Sequence, residues 1–126
     1  MSTTSRPEPG ETLTAPGCLF CGIVAGDVPA DVVASTDRLI AFRDIDPKAP
    51  LHVLVVPRDH HADVAQLAAA DPELLGELVT LGADVAGSEA DGQFRLVFNT
   101  GPEAGQSVMH VHGHLLGGTA LGWSPA

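Results

Sequence analysis

An α+β domain with an antiparallel five-stranded sheet is the fold that the sequence predicts, on two observations. Short runs rich in Val, Ile and Leu follow one another across brief Asp- or Pro-containing connections, and one longer stretch repeats its apolar residues at helical spacing. At 126 residues the chain makes one domain, long enough to bury roughly two thirds of its unfolded surface. No internal repeat is present.

Residues 1–17, MSTTSRPEPGETLTAPG, are rich in Ser, Thr, Pro, Glu and Gly and hold little apolar surface to offset the entropy of ordering them. They read as a flexible N-terminal tail, which leaves 18–126 as the domain. In CLFCGIVAG the residues Leu19, Phe20, Ile23 and Val24 recur at helical spacing and Gly26 can end the turn, so a short helix is expected. DVVAST, RLIAFRD and LHVLVVP read as three strands of a meander, the last two separated by IDPKAP. Asp71 and Pro72 look like an N-cap and first helical position. Behind them Leu74, Leu75, Leu78, Leu81 and Val85 form the stripe of the main helix, which should end near Gly87. QFRLVFNT alternates Phe94, Leu96 and Phe98 with Arg95, Val97 and Asn99, a half-buried strand, and SVMHVHGHLLGG at 107–118 is the last.

Six Lys plus Arg against sixteen Asp plus Glu give a net charge of -10, so no basic face is available for a phosphate backbone and nucleic-acid binding is not expected. No apolar run approaches the roughly 20 residues needed to span a bilayer and the N-terminus has no apolar leader, which predicts a cytoplasmic protein with no membrane partner. Two cysteines, Cys18 and Cys21, are too few for a disulfide framework and fit a reduced compartment.

The chemistry concentrates in the last strand. Alternation sends Val108, His110, His112 and His114 to one face and Met109, Val111 and Leu115 toward the core, so that three imidazoles stand in a row able to hold an anion. Three charged imidazoles would repel one another, and a neutral one is a nucleophile. NTGPEAGQS precedes the row, with Gly101 and Gly105 placed to let backbone N–H groups form an anion nest, although there is no GxxxxGK[ST] phosphate loop.

GQSVMHVHGHLLGG resembles the signature of the histidine triad (HIT) family, and FRDIDPKAPLHVLVVPRDH and the terminal GWSPA resemble its HINT branch; the similarity spans about residues 18–126. The resemblance implies a HIT-like fold and a phosphoramidase that cleaves the phosphorus–nitrogen bond of purine nucleoside 5'-phosphoramidates, such as AMP or GMP joined to an amine. By the same resemblance His112 would attack phosphorus and His114 would hold the phosphate and leaving group. Ser107, Asn99 and the backbone near Gly105 and Gln106 would hold phosphate oxygens, and His52 would back the nucleophile. Asp44 would bind the ribose; Leu19, Phe20, Ile23, Val28, Phe42 and Ile45, with Val108 beside them, would sandwich the base. A homodimer is implied, with Trp123 bordering the partner's cleft. No metal is needed for that chemistry.

Other readings stay open at this level. His-x-His on a strand with a third histidine is also how a catalytic zinc is held, and DID at 44–46 could carry magnesium, so a metal-dependent phosphohydrolase is one alternative. A nucleotide-binding scaffold with weak or no catalysis is another. Cys18 and Cys21 with His60 or His61 offer a structural zinc site, and some HIT relatives complete such a set with the first triad histidine, which would give Cys18, Cys21, His60 and His110.

Overall fold

The computed structural model describes residues 13–122. Its first residues are tied down: the Leu13 N–H donates to Asp59 Oδ1 at 2.8 Å and the Leu13 carbonyl accepts from the His60 N–H at 2.8 Å. Residues 1–12 of the expected tail, and Trp123, lie outside the described residues.

Helix α1 (Leu19–Ala25) starts where Cys18 caps it, the sulfur accepting from the Cys21 N–H, and stops at Gly26, whose φ of 84° is left-handed. The strands β1 (Val32–Ser35), β2 (Leu39–Arg43), β3 (Leu51–Pro57), β4 (Phe94–Val97) and β5 (Gly113–Gly117) make one antiparallel sheet in the order β1-β2-β3-β5-β4. The expected meander is therefore β1 to β3, with β5 inserted between β3 and the edge strand β4.

Between β3 and β4 lie two helices, α2 (Val64–Ala70) and α3 (Pro72–Glu89), of which the periodicity predicted only the second. Asp63 caps α2 through the Gln66 N–H, and Asp71 caps α3 through the Leu74 N–H, with Pro72 at the start. Leu74, Leu78 and Val85 are buried as predicted, and Leu75 and Leu81 pack at the margin of the core.

Alternation along β2 and β3 divides the apolar residues between two layers. Leu39, Ala41, Leu51, Val53 and Val55 face α2 and α3 and form the main core with Leu67, Leu74, Leu78 and Leu115. Ile40, Phe42, Leu54 and Val56 face the other way, where Phe20 of α1 covers them. His52 lies on this second face, and His114 is opposite Leu54 in the ladder. The sheet thus carries α2 and α3 on one side, and α1 and the histidines on the other. Among the described residues no helix is long and apolar enough to cross a membrane.

Two expectations need correction. The last strand is shorter than predicted: residues 107–112 do not pair in the sheet but run past the segment after β3, where the Val111 N–H donates to the His61 carbonyl at 2.7 Å. Alternation consequently fails at its start, and Met109, expected in the core, is 43% exposed.

Candidate active site and the adjoining cysteine–histidine cluster

Leaving the ladder lets His110 and His112 turn to partners of their own, while His114, in β5, stays paired in the sheet. His112 is 7% exposed and its Nδ1 lies 2.8 Å from the His110 carbonyl. A carbonyl can only accept, so Nδ1 carries the proton and Nε2 of the neutral ring keeps its lone pair. The edge of Phe20 packs on this ring with centroids 4.9 Å apart. His114 follows with its ring centroid 5.1 Å from that of His112, and its Nδ1 lies 3.0 Å from His52 Nε2. His52 in turn accepts the Lys48 backbone N–H at Nδ1 (2.9 Å), and Asp44 Oδ2 stands 3.4 Å from its Nε2.

Gly113, between His112 and His114, has no room for a side chain. A Cβ there would lie 2.8 Å from Leu96 Cδ1 and 3.2 Å from the ring of Phe98, so those two side chains occupy the space that any larger residue would need.

Burial sets the protonation of the group. It is the largest cause lowering His52, His112 and His114, and His114, beside two further imidazoles, is pushed down to about 4. These rings stay neutral in the folded state near neutral pH, whereas in the unfolded chain they titrate near 6.5. Between those values the unfolded state binds more protons, so the stability they permit is present above about pH 6.5 and is lost as pH falls toward 4. The melting temperature is expected to drop steadily across that window and to drop less in a His52→Asn, His114→Asn double variant; a flat profile down to pH 4.5 would contradict the assignment.

A cavity of about 510 Å³ is lined by Leu19, Phe20, Ile23, Phe42, Asp44, Ser107 and Val108 among others; no histidine among the described residues lines it, and Phe20, which packs on His112, and Asp44, beside His52, join it to the triad. Ile45 stands at its lip, fully exposed, and Pro29 lines it although no sequence signal pointed there. Val28 does not line it and packs against Gly22 instead. A larger cavity of about 590 Å³ lies between the end of α3 and β4.

The loop before the triad differs from the expected nest. The N–H groups of Gly105 and Gln106 donate to the carbonyls of Pro102 and Gly101, both at 3.0 Å, so the turn itself consumes them. Gln106 is 4% exposed and its amide is a strut. Oε1 accepts from the Gly101 N–H (2.9 Å), and Nε2 donates to the carbonyls of Ala62 (2.6 Å) and Val108 (3.0 Å). Asn99 donates through Nδ2 to the Ala104 carbonyl at 2.9 Å, and the exposed Ser107 hydroxyl stands at the loop's end.

His110 turns away from the cavity and is fully buried. Its Nε2 lies 2.8 Å from the Pro57 carbonyl, which fixes the proton there and leaves the Nδ1 lone pair facing Cys18 Sγ at 3.3 Å and Cys21 Sγ at 3.5 Å. His60 Nδ1 is 3.5 Å from Cys21 Sγ, and all four ligand atoms lie within 4.8 Å of one another. Tetrahedral zinc bonds of about 2.3 Å to sulfur and 2.0–2.1 Å to nitrogen give a sulfur–nitrogen edge of about 3.5 Å. Cys18, Cys21, His60 and His110 are therefore close enough to hold a metal ion, and the carbonyl behind His110 is the outer partner that a metal-bound histidine normally has. His61, the other candidate, is not in the group. Without a metal, burial raises the Cys21 thiol and lowers His60 and His110, the last to about 4.

The comparisons with known proteins agree with this geometry. The chain is 40% identical to the purine nucleoside phosphoramidase of Escherichia coli K12 over 106 residues, 82% of this chain and 89% of that protein. Its fold matches a HIT family hydrolase from Legionella pneumophila Philadelphia 1 with a TM-score of 0.82 and 41% identity, covering 87% of this chain and all of that one. It also matches a zinc-bound histidine triad family protein from Mycobacterium smegmatis with a TM-score of 0.71 and 32% identity, over 85% of this chain and 81% of that one. With the HIT domain model matching residues 25–121, which contain the triad and the strands that carry it, the chain belongs to the HIT domain family.

Proposed function

We infer that the protein hydrolyses the phosphorus–nitrogen bond of purine nucleoside 5'-phosphoramidates, in the manner of the HINT branch. The observation that carries this is His112: a buried neutral imidazole whose Nδ1 proton is given to a backbone carbonyl and whose Nε2 lone pair is free to attack. In the first step Nε2 forms a bond to the α-phosphorus as the phosphorus–nitrogen bond breaks, and the amine leaves with that electron pair and a proton from solvent. Water then displaces the nucleotide from His112 and returns a proton. His114 assists phosphate and leaving group; Ser107 and Asn99 hold phosphate oxygens. Asp44 takes the ribose, and the cavity lined by Leu19, Phe20, Ile23 and Phe42 takes the base. An apolar slot of this kind recognises the shape of a purine more than its polar edge. Zinc at Cys18, Cys21, His60 and His110 is structural in this reading, and the similar protein from M. smegmatis is zinc-bound.

The grouping of Asp44, His52 and His114 is close enough to hold a metal as well, but His52 accepts the Lys48 N–H at Nδ1, so its Nε2 carries the proton where a metal would need a lone pair. We propose a homodimer, in which Phe94 of the edge strand β4 and Val79 of α3, both exposed in the single chain, would be covered, and a cytoplasmic location. The deciding assay follows amine release from adenosine and guanosine 5'-phosphoramidates with and without a chelator in the buffer. Turnover that survives brief chelation is expected. Nucleotide binding without product would favour the scaffold reading instead, and turnover restored only by added magnesium would favour the metal-dependent one.

A further inference from the structure

We propose that the backbone amide of Lys48 sets the proton order of the site and thereby makes His114 present an N–H, rather than a lone pair, to the bound substrate; that last role rests on the phosphoramidase reading. One donor at the site cannot change its role. An amide N–H only donates, so the Lys48 N–H at 2.9 Å holds a lone pair on His52 Nδ1. The single proton of neutral His52 is therefore on Nε2, where Asp44 Oδ2 at 3.4 Å also favours it. That N–H donates to His114 Nδ1 at 3.0 Å, so the single proton of neutral His114 is on its Nε2.

The result is opposite to that at the neighbouring ring. His112 is held by an acceptor, the His110 carbonyl, and presents a lone pair at Nε2; His114 is held by a donor and presents N–H at Nε2. With the two ring centroids 5.1 Å apart, one imidazole is prepared to attack phosphorus and the other to hydrogen-bond a phosphoryl oxygen or the departing nitrogen.

The turn between β2 and β3 aims the amide. The Asp44 N–H donates to the His52 carbonyl at 3.0 Å, and Asp44 Oδ1 accepts from the Asp46 N–H at 2.8 Å. Lys48 Nζ reaches back to the Asp46 carbonyl at 2.9 Å and to Asp46 Oδ2 at 2.7 Å. His52 is 4% exposed, so water is largely kept from competing with the amide for its ring. Lys48 is a positioning residue acting through its main chain, and its side chain braces the turn.

The test reads tautomers directly. In the full chain labelled with ¹⁵N-histidine, long-range proton–nitrogen correlation at neutral pH should show His52 and His114 both protonated on Nε2 and His112 on Nδ1. Replacing Lys48 by its α-hydroxy acid, which turns the amide into an ester and keeps the side chain, should shift His52 and His114 to mixed tautomers and leave His112 unchanged. It should also lower kcat roughly tenfold, the worth of one misdirected hydrogen bond, with KM within about twofold. A wild-type His114 protonated on Nδ1 overturns the proposal, and so does an ester variant with unaltered tautomers. Because the spectra need no substrate, a protein with this proton order and no phosphoramidate turnover would remove the phosphoramidase reading and leave the proton order standing.

Discussion

Replacement of His112 by alanine is expected to lower phosphoramidate turnover by roughly 10⁴-fold or more, the scale of losing a covalent nucleophile, while nucleotide affinity stays within about tenfold. The asymmetry follows from the geometry. The cavity walls and Asp44 are contributed by α1 and the segment after it, by β2 and the turn after it, and by Ser107 and Val108 of the loop before the triad, and the His112 ring is not itself part of the lining. Only Phe20 packs on both, so some loss of affinity is expected there. Single-turnover kinetics beside an equilibrium titration with AMP would separate the two quantities. Full activity in the variant would end the proposed mechanism. A change at His114 should be milder, since it removes a hydrogen bond and keeps the attacking atom.

Loss of the cysteine–histidine cluster is the second large effect expected. Protein purified without a histidine tag from zinc-replete medium should contain about one zinc per chain. Chelation or Cys18→Ser should then lower the melting temperature by roughly 10 °C, which corresponds to a few kcal/mol in a domain of this size. The sequence of events should be local first. Cys18 caps α1 and Cys21 lies within it, whereas His60 and His110 come from the segments after β3 and before β5, so metal release unties α1 from the sheet. Amide exchange in residues 19–25 should rise before exchange in α3. Zinc near zero in freshly purified protein, or a melting temperature indifferent to chelation, would show that the cysteines serve packing alone.

Most of this architecture was readable from local patterns, and the exceptions have physical causes. The strands from residue 31 to 57 and the helix from Asp71 onward announce themselves by β-branched runs, a cap and a proline. Helix α2 did not, because VAQLAAA is Ala-rich with one deeply buried residue, Leu67, and so shows no stripe, though Asp63 is a legible cap. The triad was visible as chemistry but its path was not. Alternation presumes a ladder partner, and residues 106–112 are instead held by His61, Ala62 and Pro57, contacts between segments about 50 residues apart. The set able to hold a metal was nearly readable because its cysteines lie three residues apart, yet the choice of His60 over His61 depended on where a loop turned. The expected anion nest failed because a glycine-rich turn satisfies its own amides first.

β3 reads LHVLVVP, with Leu51, Val53 and Val55 facing α2 and α3 and His52, Leu54 and Val56 facing the site. Its apolar residues are so similar that hydrophobicity alone would scarcely distinguish one pairing from the next. A slip of one residue against β2 would turn His52 inward beneath α3, stripping the ring of the Lys48 amide and of His114 and leaving polar nitrogens in a dry layer at a cost of about 1–3 kcal/mol for each one unpaired. It would also send Leu51, Val53 and Val55 toward the side where the nucleotide is to bind. The histidine is thus an address mark during assembly: the polar group proposed to serve the chemistry also penalises the neighbouring wrong alignment of an otherwise ambiguous central strand.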